Sequence, residues 1–354
     1  MKIVHLLATG NNGGIERLIY DYSKNSKLEN VFIFAWGSGS CGNKLKDSGS
    51  KVYDIDGHKI GNFKTIKMIN EIIKIENPNF IIIHHASVLL RFISLFHKKE
   101  KVIVYQHNDP KNNFENFSIK DFFRVLISKC AFDHASKVIA ISKFVKKNLI
   151  KYYKINNNKI AVIYNGTDLD EFYYHPHTYD GTLHFVSVAR LTYEKGIQNS
   201  FNLLKKIPNS IEWDYTIVGD GEYREELEDL SKDFPENQIH FLGNRDDVSK
   251  ILDSSDIFLH LCNCNEGFGI TIIEAMAKGK ICIVSDKGAL PEILVNEING
   301  YIVDNDDNAI SIIESLIRER EKWDTVIENA NRRAMEFSIT SFTENLDVLL
   351  KNSI

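Results

Sequence analysis

No apolar run in this 354-residue sequence approaches the ~18 residues a helix needs to cross a bilayer, which argues against a helical membrane span. Residues 1–7 are apolar, but Thr9, Gly10 and Asn11 interrupt them too soon for a signal peptide. The expectation is a cytoplasmic protein, with peripheral contact at the inner face of the cell membrane left open. Cysteine is scarce: Cys41, Cys130, Cys262, Cys264 and Cys282 are an odd set without framework spacing. That pattern argues against a disulfide scaffold and for reduced thiols. Cys262 and Cys264 form C-x-C rather than C-x₂-C, and no second pair follows, so no structural metal is expected. There is no repeat, no low-complexity segment and no nucleic-acid-binding motif. The net charge of −5 gives no reason to expect a nucleic-acid partner.

What is present is an ordinary globular balance, 43% hydrophobic and 26% charged, in a chain long enough for two domains. The charge is uneven. Residues 1–170 hold 26 Lys and Arg against 15 Asp and Glu, and the remainder 17 against 33. Basic residues gather at Lys98, Lys99 and Lys101, and again at Lys143, Lys146 and Lys147. Each cluster alone reads as a solvated helix face. Both in one half point toward an anionic acceptor or membrane surface.

Short apolar runs at 2–7, 31–36, 52–55, 80–84, 102–106, 138–142 and 160–164 alternate with helix-length segments. The polar stretch 171–181 breaks the rhythm and reads as a linker. The alternation resumes with runs at 183–189, 215–218, 239–242, 257–261 and 281–284, and a lone helix is expected near 341–351. Non-alternating runs of this kind are strands covered on both faces, hence βαβ units and parallel sheets. The expected architecture is α/β, with two Rossmann-like doubly wound domains facing across a cleft. The expected boundaries are 1–170, linker 171–181, 182–337, and a C-terminal helix 338–354 packing back toward the first domain.

The glycines after the first strand, Gly10, Gly13 and Gly14, suit a phosphate at a helix N-terminus. Their spacing is not G-x-G-x-x-G, and the second strand ends in Ala35-Trp36-Gly37 rather than an acidic residue, so a dinucleotide is not expected. In the second half, Arg190 and Lys195 follow a strand five residues apart. They have the chemistry to meet on a diphosphate, Arg as a fork and Lys as a point charge; the competing reading is a surface pair that touches nothing. Glu266-Gly267-Phe268-Gly269-Ile270 then leads into a helix that carries Glu274. Free amides and the helix dipole there favour an anion, and the carboxylates accept hydrogen bonds from paired hydroxyls. The competing reading makes Glu266 a helix cap and Glu274 an ordinary helix residue.

These features, in this order, resemble family 4 glycosyltransferases of the GT-B architecture. The E-x₇-E pattern at Glu266 and Glu274 is the most specific element. It is accompanied by Gly13-Gly14 with Glu16 and Arg17, His107-Asn108, Ser142, Asn165-Gly166, Arg190 with Lys195-Gly196, Gly219-Asp220-Gly221, Gly243, Gly288 with Pro291-Glu292, and Gly300. The resemblance covers nearly the whole chain. It implies that Arg190 and Lys195 neutralise the donor diphosphate, that Gly13 and Gly14 close on the same phosphates, and that Glu266 holds sugar hydroxyls with the amides of Phe268 and Gly269. It further implies that Glu274 binds the ribose, that the loops at Gly219–Gly221 and at Gly243, Asn244 and Arg245 frame the base, and that His107 binds a sugar hydroxyl beside the reacting carbon. His84 and His85 are expected to be structural. Two departures, Thr167 where an aliphatic residue is usual and Ala289 where a second glycine is usual, weaken inference about a particular donor.

The activity so implied is retaining, metal-independent transfer of a hexose or N-acetylhexosamine from a nucleotide-sugar, UDP-linked by preference, with no cofactor. The acceptor would be a glycan or a polyprenyl-diphosphate-linked glycan in O-antigen, capsule or related polysaccharide biosynthesis. The D-x-D triplets at Asp54–Asp56 and Asp168–Asp170 are read as loop chemistry. The competing functions are a nucleotide-sugar epimerase or a phosphorylase of similar architecture, and a non-catalytic sugar-nucleotide-binding protein.

Overall fold

A computed structural model describes all residues except 12, 85–86, 115–118, 175–178 and 354, and the side chains of 100, 113, 119, 120 and 321. Expectations at His85 and at 175–178 fall outside the described residues. The chain forms two units, Met1–Thr167 with Ile339–Ile354, and Asp168–Ser338.

The first unit is built on seven parallel strands: β1 (Lys2–Leu7), β2 (Glu29–Phe34), β3 (Lys51–Asp54), β4 (Phe80–Ile83), β5 (Val102–Gln106), β6 (Lys137–Ala140) and β7 (Ile160–Val162). Their order is β3-β2-β1-β4-β5-β6-β7. The central strands β1, β4 and β5 are buried along nearly their whole length, which is why their sequences are largely apolar, with His5 in β1 and Gln106 at the end of β5 as buried polar exceptions. The order reverses between β1 and β4, the switch point of a doubly wound sheet.

The second unit repeats the plan with β8 (Leu183–Val188), β9 (Trp213–Val218), β10 (Ile239–Gly243), β11 (Ile257–His260), β12 (Ile281–Ser285) and β13 (Tyr301–Val303). The order is β10-β9-β8-β11-β12-β13, all parallel, with its switch point between β8 and β11. Leu183, Phe185, Tyr215, Ile217, Ile257 and Leu259 share one core with the helix residues Phe201 and Leu204.

Several expectations need revision. The run at 31–36 ends as a strand at Phe34, because Trp36 turns to bridge Asp56 in antiparallel fashion. Strand β13, only three residues long, gives no periodic signal and was not among the expected strands. Two helices, Asp306–Arg318 and Trp323–Met335, precede the C-terminal helix Ile339–Lys351. The stretch read as a linker belongs with the second unit, since Tyr174 and Tyr179 pack against that unit's core. The C-terminal helix packs on helix Gly14–Asn25 in the first unit. Tyr22 donates to Asp347 Oδ1 at 2.8 Å, and Phe342 meets the Tyr22 ring edge-on at 5.9 Å.

Candidate functional site

In the second unit the switch point puts the β8 and β11 loops side by side, and the sequence stitches them together. Lys195 closes a short turn, Tyr193–Lys195. Gly196 follows with φ +73°, and a Cβ there would lie 2.0 Å from the Leu261 carbonyl oxygen. No other residue fits so close an approach in that conformation. Asn199 donates to Leu261 O at 2.7 Å and Asn263 N–H donates to Glu194 O at 2.8 Å, so the turn and the β11 loop are one rigid piece.

On this frame Lys195 meets the Glu266 carboxylate through both oxygens, with Oε2 at 3.2 Å. Burial alone would lower the pKa of Lys195, but the Glu266 charge outweighs it and holds the ammonium above its ordinary value. Burial would raise Glu266, and Lys195 with His260 holds it below the usual carboxylate range instead. Both groups therefore stand ionised, one positive and one negative, at the mouth of the sheet. Their attraction is the kind that an incoming diphosphate and sugar hydroxyls can exchange.

The Gly288 loop supports Glu266 from behind. Ala289 N–H donates to Glu266 O at 2.8 Å, and a Cβ on Gly288, which has φ +63°, would sit 2.2 Å from that oxygen. Ala289 is itself fully buried, so its methyl fits where a glycine is usual. Glu266 is not the cap of the following helix. Gly269 holds the N-cap of Ile270–Ala277, and no side chain caps it. Gly267 and Ile270 are half-buried there. The Phe268 ring packs into the unit against Phe337 at 5.6 Å. Glu274 lies inside the same helix and is buried.

Arg190 is placed differently from Lys195. Its guanidinium is 72% exposed and pairs with Glu222 at 3.2 Å. The Arg190 loop is tied to the next two strand ends, with Leu191 N–H donating to Asp220 O at 3.0 Å and Gly219 N–H to Gly243 O at 2.8 Å. Asp220 accepts from Gly221 N–H at 2.8 Å, and Asn244 is exposed beside Arg245, which forks onto Asp247 at 2.7 Å. The expected base-framing loops are thus neighbours of Arg190, while Lys195 and Glu266 form the direct pair.

Sequence reasoning missed His260. It ends β11 with Nε2 at 3.8 Å from Glu266 Oε1, and burial holds its imidazole down to about 4. A histidine ending an apolar strand gives no sequence signal of what lies across from it. Both D-x-D triplets are occupied locally. Asp54 accepts from Ser38 N–H at 2.9 Å, Asp56 pairs with Lys59 at 2.6 Å, and Asp168 accepts from Asp170 N–H at 3.1 Å. Among the described residues no cluster of three or more His, Cys, Asp or Glu has metal-binding geometry.

In the first unit Gly13 is the N-cap of helix Gly14–Asn25, again without a capping side chain, and Glu16 Oε2 curls to within 2.6 Å of where a Cβ on Gly13 would be. His107 follows β5 at the carboxyl end of the sheet and is largely buried, 4.2 Å from the Tyr105 ring. Lys98 and Lys99 are exposed, while Lys101 donates to Pro78 O at 2.8 Å. Lys143, Lys146 and Lys147 line a groove of about 460 Å³ floored by Ile150 and Val162, and Lys146 is tied to Ile160 O at 3.0 Å.

Two doubly wound parallel units, one carrying a cation–carboxylate pair at its switch point, have the chemistry to meet an anion joined to a polyol. The family model described as Glycosyltransferase Family 4 matches residues 12–171, and the one described as Glycosyl transferases group 1 matches residues 176–333. The chain belongs to family 4 of the glycosyltransferases. An uncharacterized glycosyltransferase of Methanocaldococcus jannaschii is 25% identical, with 91% of this chain and 87% of that one covered. The UDP-Gal:alpha-D-GlcNAc-diphosphoundecaprenol alpha-1,3-galactosyltransferase of Escherichia coli is 29% identical over 56% of this chain and 53% of its own length. The crystal structure of Anabaena HepE in complex with UDP-glucose superimposes with a TM-score of 0.85 at 21% identity, over 99% of this chain and all of that one. The fold is that of the GT-B glycosyltransferases.

Proposed function

We propose that this glycosyltransferase is a retaining enzyme that moves a hexose or N-acetylhexosamine from a UDP-sugar to a glycan or polyprenyl-diphosphate-linked acceptor in surface polysaccharide assembly. The observation that carries the reading is the Lys195–Glu266 ion pair at the second switch point. An anionic donor relieves Lys195 of Glu266 and frees the carboxylate for sugar hydroxyls. Arg190, on its exposed tether to Glu222, swings to the same diphosphate at little cost, since exposed ion pairs contribute ~0–1 kcal/mol. The turn at Gly267–Gly269, leading into the helix start, completes the anion site, Glu274 serves the ribose, and the Gly219–Gly221 and Gly243–Arg245 loops frame the base. Gly13 and Gly14 act on the phosphates and His107 on a sugar hydroxyl.

The chemistry is a front-face substitution. The bond from the anomeric carbon to the diphosphate breaks first, and the electron pair leaves with UDP. The acceptor hydroxyl adds on the same face and gives its proton to a donor phosphate oxygen. Arg190, Lys195 and the helix dipole stabilise the departing charge, the part a Mg²⁺ ion plays elsewhere. The UDP and lipid-linked-acceptor assignments draw on the UDP-glucose bound to HepE and on the substrates named for the Escherichia coli relative. Contact with an anionic membrane draws on the lysines of the first unit. No helix of the described residues is long and apolar enough to cross a membrane.

Mass spectrometry of a donor panel, with and without a polyprenyl-diphosphate-linked acceptor, tests the reading. Acceptor-dependent release of UDP with a new glycosidic product is expected. Conversion of the donor to an isomer without acceptor would make the protein an epimerase. No turnover of any donor, with binding retained, would make it a non-catalytic binder. Undiminished activity in excess EDTA is expected, and full loss would overturn the metal-free mechanism.

A further inference from the structure

His5, His84 and His107 are far apart in sequence and adjacent in the first unit. His5 Nδ1 lies 2.9 Å from His84 Nε2, and His84 Nδ1 lies 3.4 Å from His107 Nε2. All three side chains are largely or wholly buried. They run from the middle of β1 to the residues that follow β4 and β5, at the carboxyl ends of the strands. The inner end of the row is anchored by Asn30 on β2, whose Oδ1 is 2.9 Å from His5 Nε2.

The polarity of this row is readable from its anchor. Asn30 Nδ2 donates to the Leu28 carbonyl at 3.1 Å, so the amide oxygen, an acceptor only, faces His5. His5 Nε2 must therefore carry a hydrogen. The ring is stacked on Phe32 at 4.9 Å and faces the edge of Tyr22 at 5.6 Å, and the Tyr22 hydroxyl is turned to Asp347. In that setting burial holds His5 down to about 4, so at neutral pH it has one N–H and its Nδ1 is a lone pair. His84 then donates from Nε2 and, when neutral, accepts at Nδ1 from the Nε2–H of His107. Tyr105 packs against both the His84 and the His107 rings, and its hydroxyl lies near Asn165 Oδ1 at 3.3 Å.

The geometry points to Asn30, His5 and His84 as positioning residues that fix His107 in the Nε2–H tautomer, so that its Nδ1 accepts the hydrogen of a donor-sugar hydroxyl. The inference rests on the reading of His107 as a sugar contact under Proposed function. It makes His84, expected from sequence to be structural, a member of the site's support. It also gives the β2 residue Asn30, far along the row from His107, a part in the reaction. A histidine in a binding site works only with the correct nitrogen bearing the proton, and the partner of the other nitrogen decides which one does.

Long-range ¹H–¹⁵N correlation spectra of protein labelled with ¹⁵N-histidine test this directly at neutral pH, with resonances assigned by His84→Asn and His107→Asn. His107 is expected as a single species, protonated at Nε2 and bare at Nδ1. In Asn30→Leu the row loses its anchor, His107 is expected to show both tautomers, and kcat/KM for the donor should fall about tenfold, the scale of lost support to a site histidine. A parent spectrum with His107 protonated at Nδ1, or a His107 tautomer unchanged in Asn30→Leu, would overturn the inference. The parent spectrum decides alone if the variant does not fold. Failure of the underlying reading looks different: His107→Ala would then transfer sugar at the parent rate while the spectrum still reports the Nε2–H tautomer.

Discussion

The two units share a strand order but not an electrostatic design. At the switch point of the second, formal charges face one another: Lys195 on Glu266, Arg190 on Glu222 and Arg245 on Asp247 a loop away. At the strand ends of the first, the polar groups form a row of buried imidazoles, and the exposed lysines Lys98, Lys99 and Lys147 have no carboxylate partner among the described residues. Elsewhere in the second unit Lys205, Lys206, Lys232, Lys278 and Lys322 each meet a carboxylate. At its switch point the second unit thus keeps its charges in pairs that an incoming anion can exchange. The first leaves Lys98, Lys99 and Lys147 without such partners, though Lys2 and Lys51 pair with the buried Glu76, and it lines its strand ends with imidazoles.

Lys195→Ala should have the largest effect. It removes the cation proposed to meet the diphosphate and strands Glu266, so turnover should fall by roughly 10²- to 10³-fold and stability by ~1–3 kcal/mol, read from kcat and the urea midpoint. Adding Glu266→Gln should restore the midpoint and not the rate. Arg190→Ala should lower kcat by about 10²-fold while leaving the midpoint unchanged, because the Glu222 pair is exposed. An unchanged rate would remove Arg190 from the site.

The buried imidazoles predict an effect common to both units. Burial lowers His5 and His260 from 6.5 to about 4. Between those values the unfolded chain binds more protons, so stability rises with pH across the window, declines as pH falls below 6.5 and is fully penalised below 4. Glu76 acts in the same direction at lower pH. Burial would raise it, but Lys51, Tyr53 and Lys2 bring it from 4.5 to about 2, and that contribution is lost as pH falls through 2. A urea midpoint that stays flat from neutral pH to mild acid would contradict the histidine burial. The smallest effect concerns the surface lysines. Lys143→Glu with Lys147→Glu should weaken sedimentation with anionic phosphatidylglycerol vesicles by ~1 kcal/mol per lost lysine, and leave turnover of a soluble acceptor intact.

How far the sequence reached follows the same division. Strands β8 and β11 and their loops were legible because strands covered on both faces are largely apolar, and the cations and glycines punctuate their ends. The pairing of Lys195 with Glu266 across 71 positions was expected as convergence on a ligand, and appears as a direct ion pair. The histidine row was not legible. His5 sits inside a strand that reads as core, and its neighbour His84 is 79 residues away. Only the sheet order, with β4 beside β1, brings them together. Within the stretch read as a linker, Tyr174 and Tyr179 pack on the second unit's core, and their irregular spacing among polar residues gives no periodicity that would show it.

On this reading Lys195 and Glu266 part to take the two ends of an activated sugar. A crystal structure with an intact, non-hydrolysable UDP-sugar tests it most directly. Lys195 Nζ is expected about 3 Å from a diphosphate oxygen, with Glu266 accepting from sugar hydroxyls. A donor bound elsewhere, with the Lys195–Glu266 pair still closed, would contradict it.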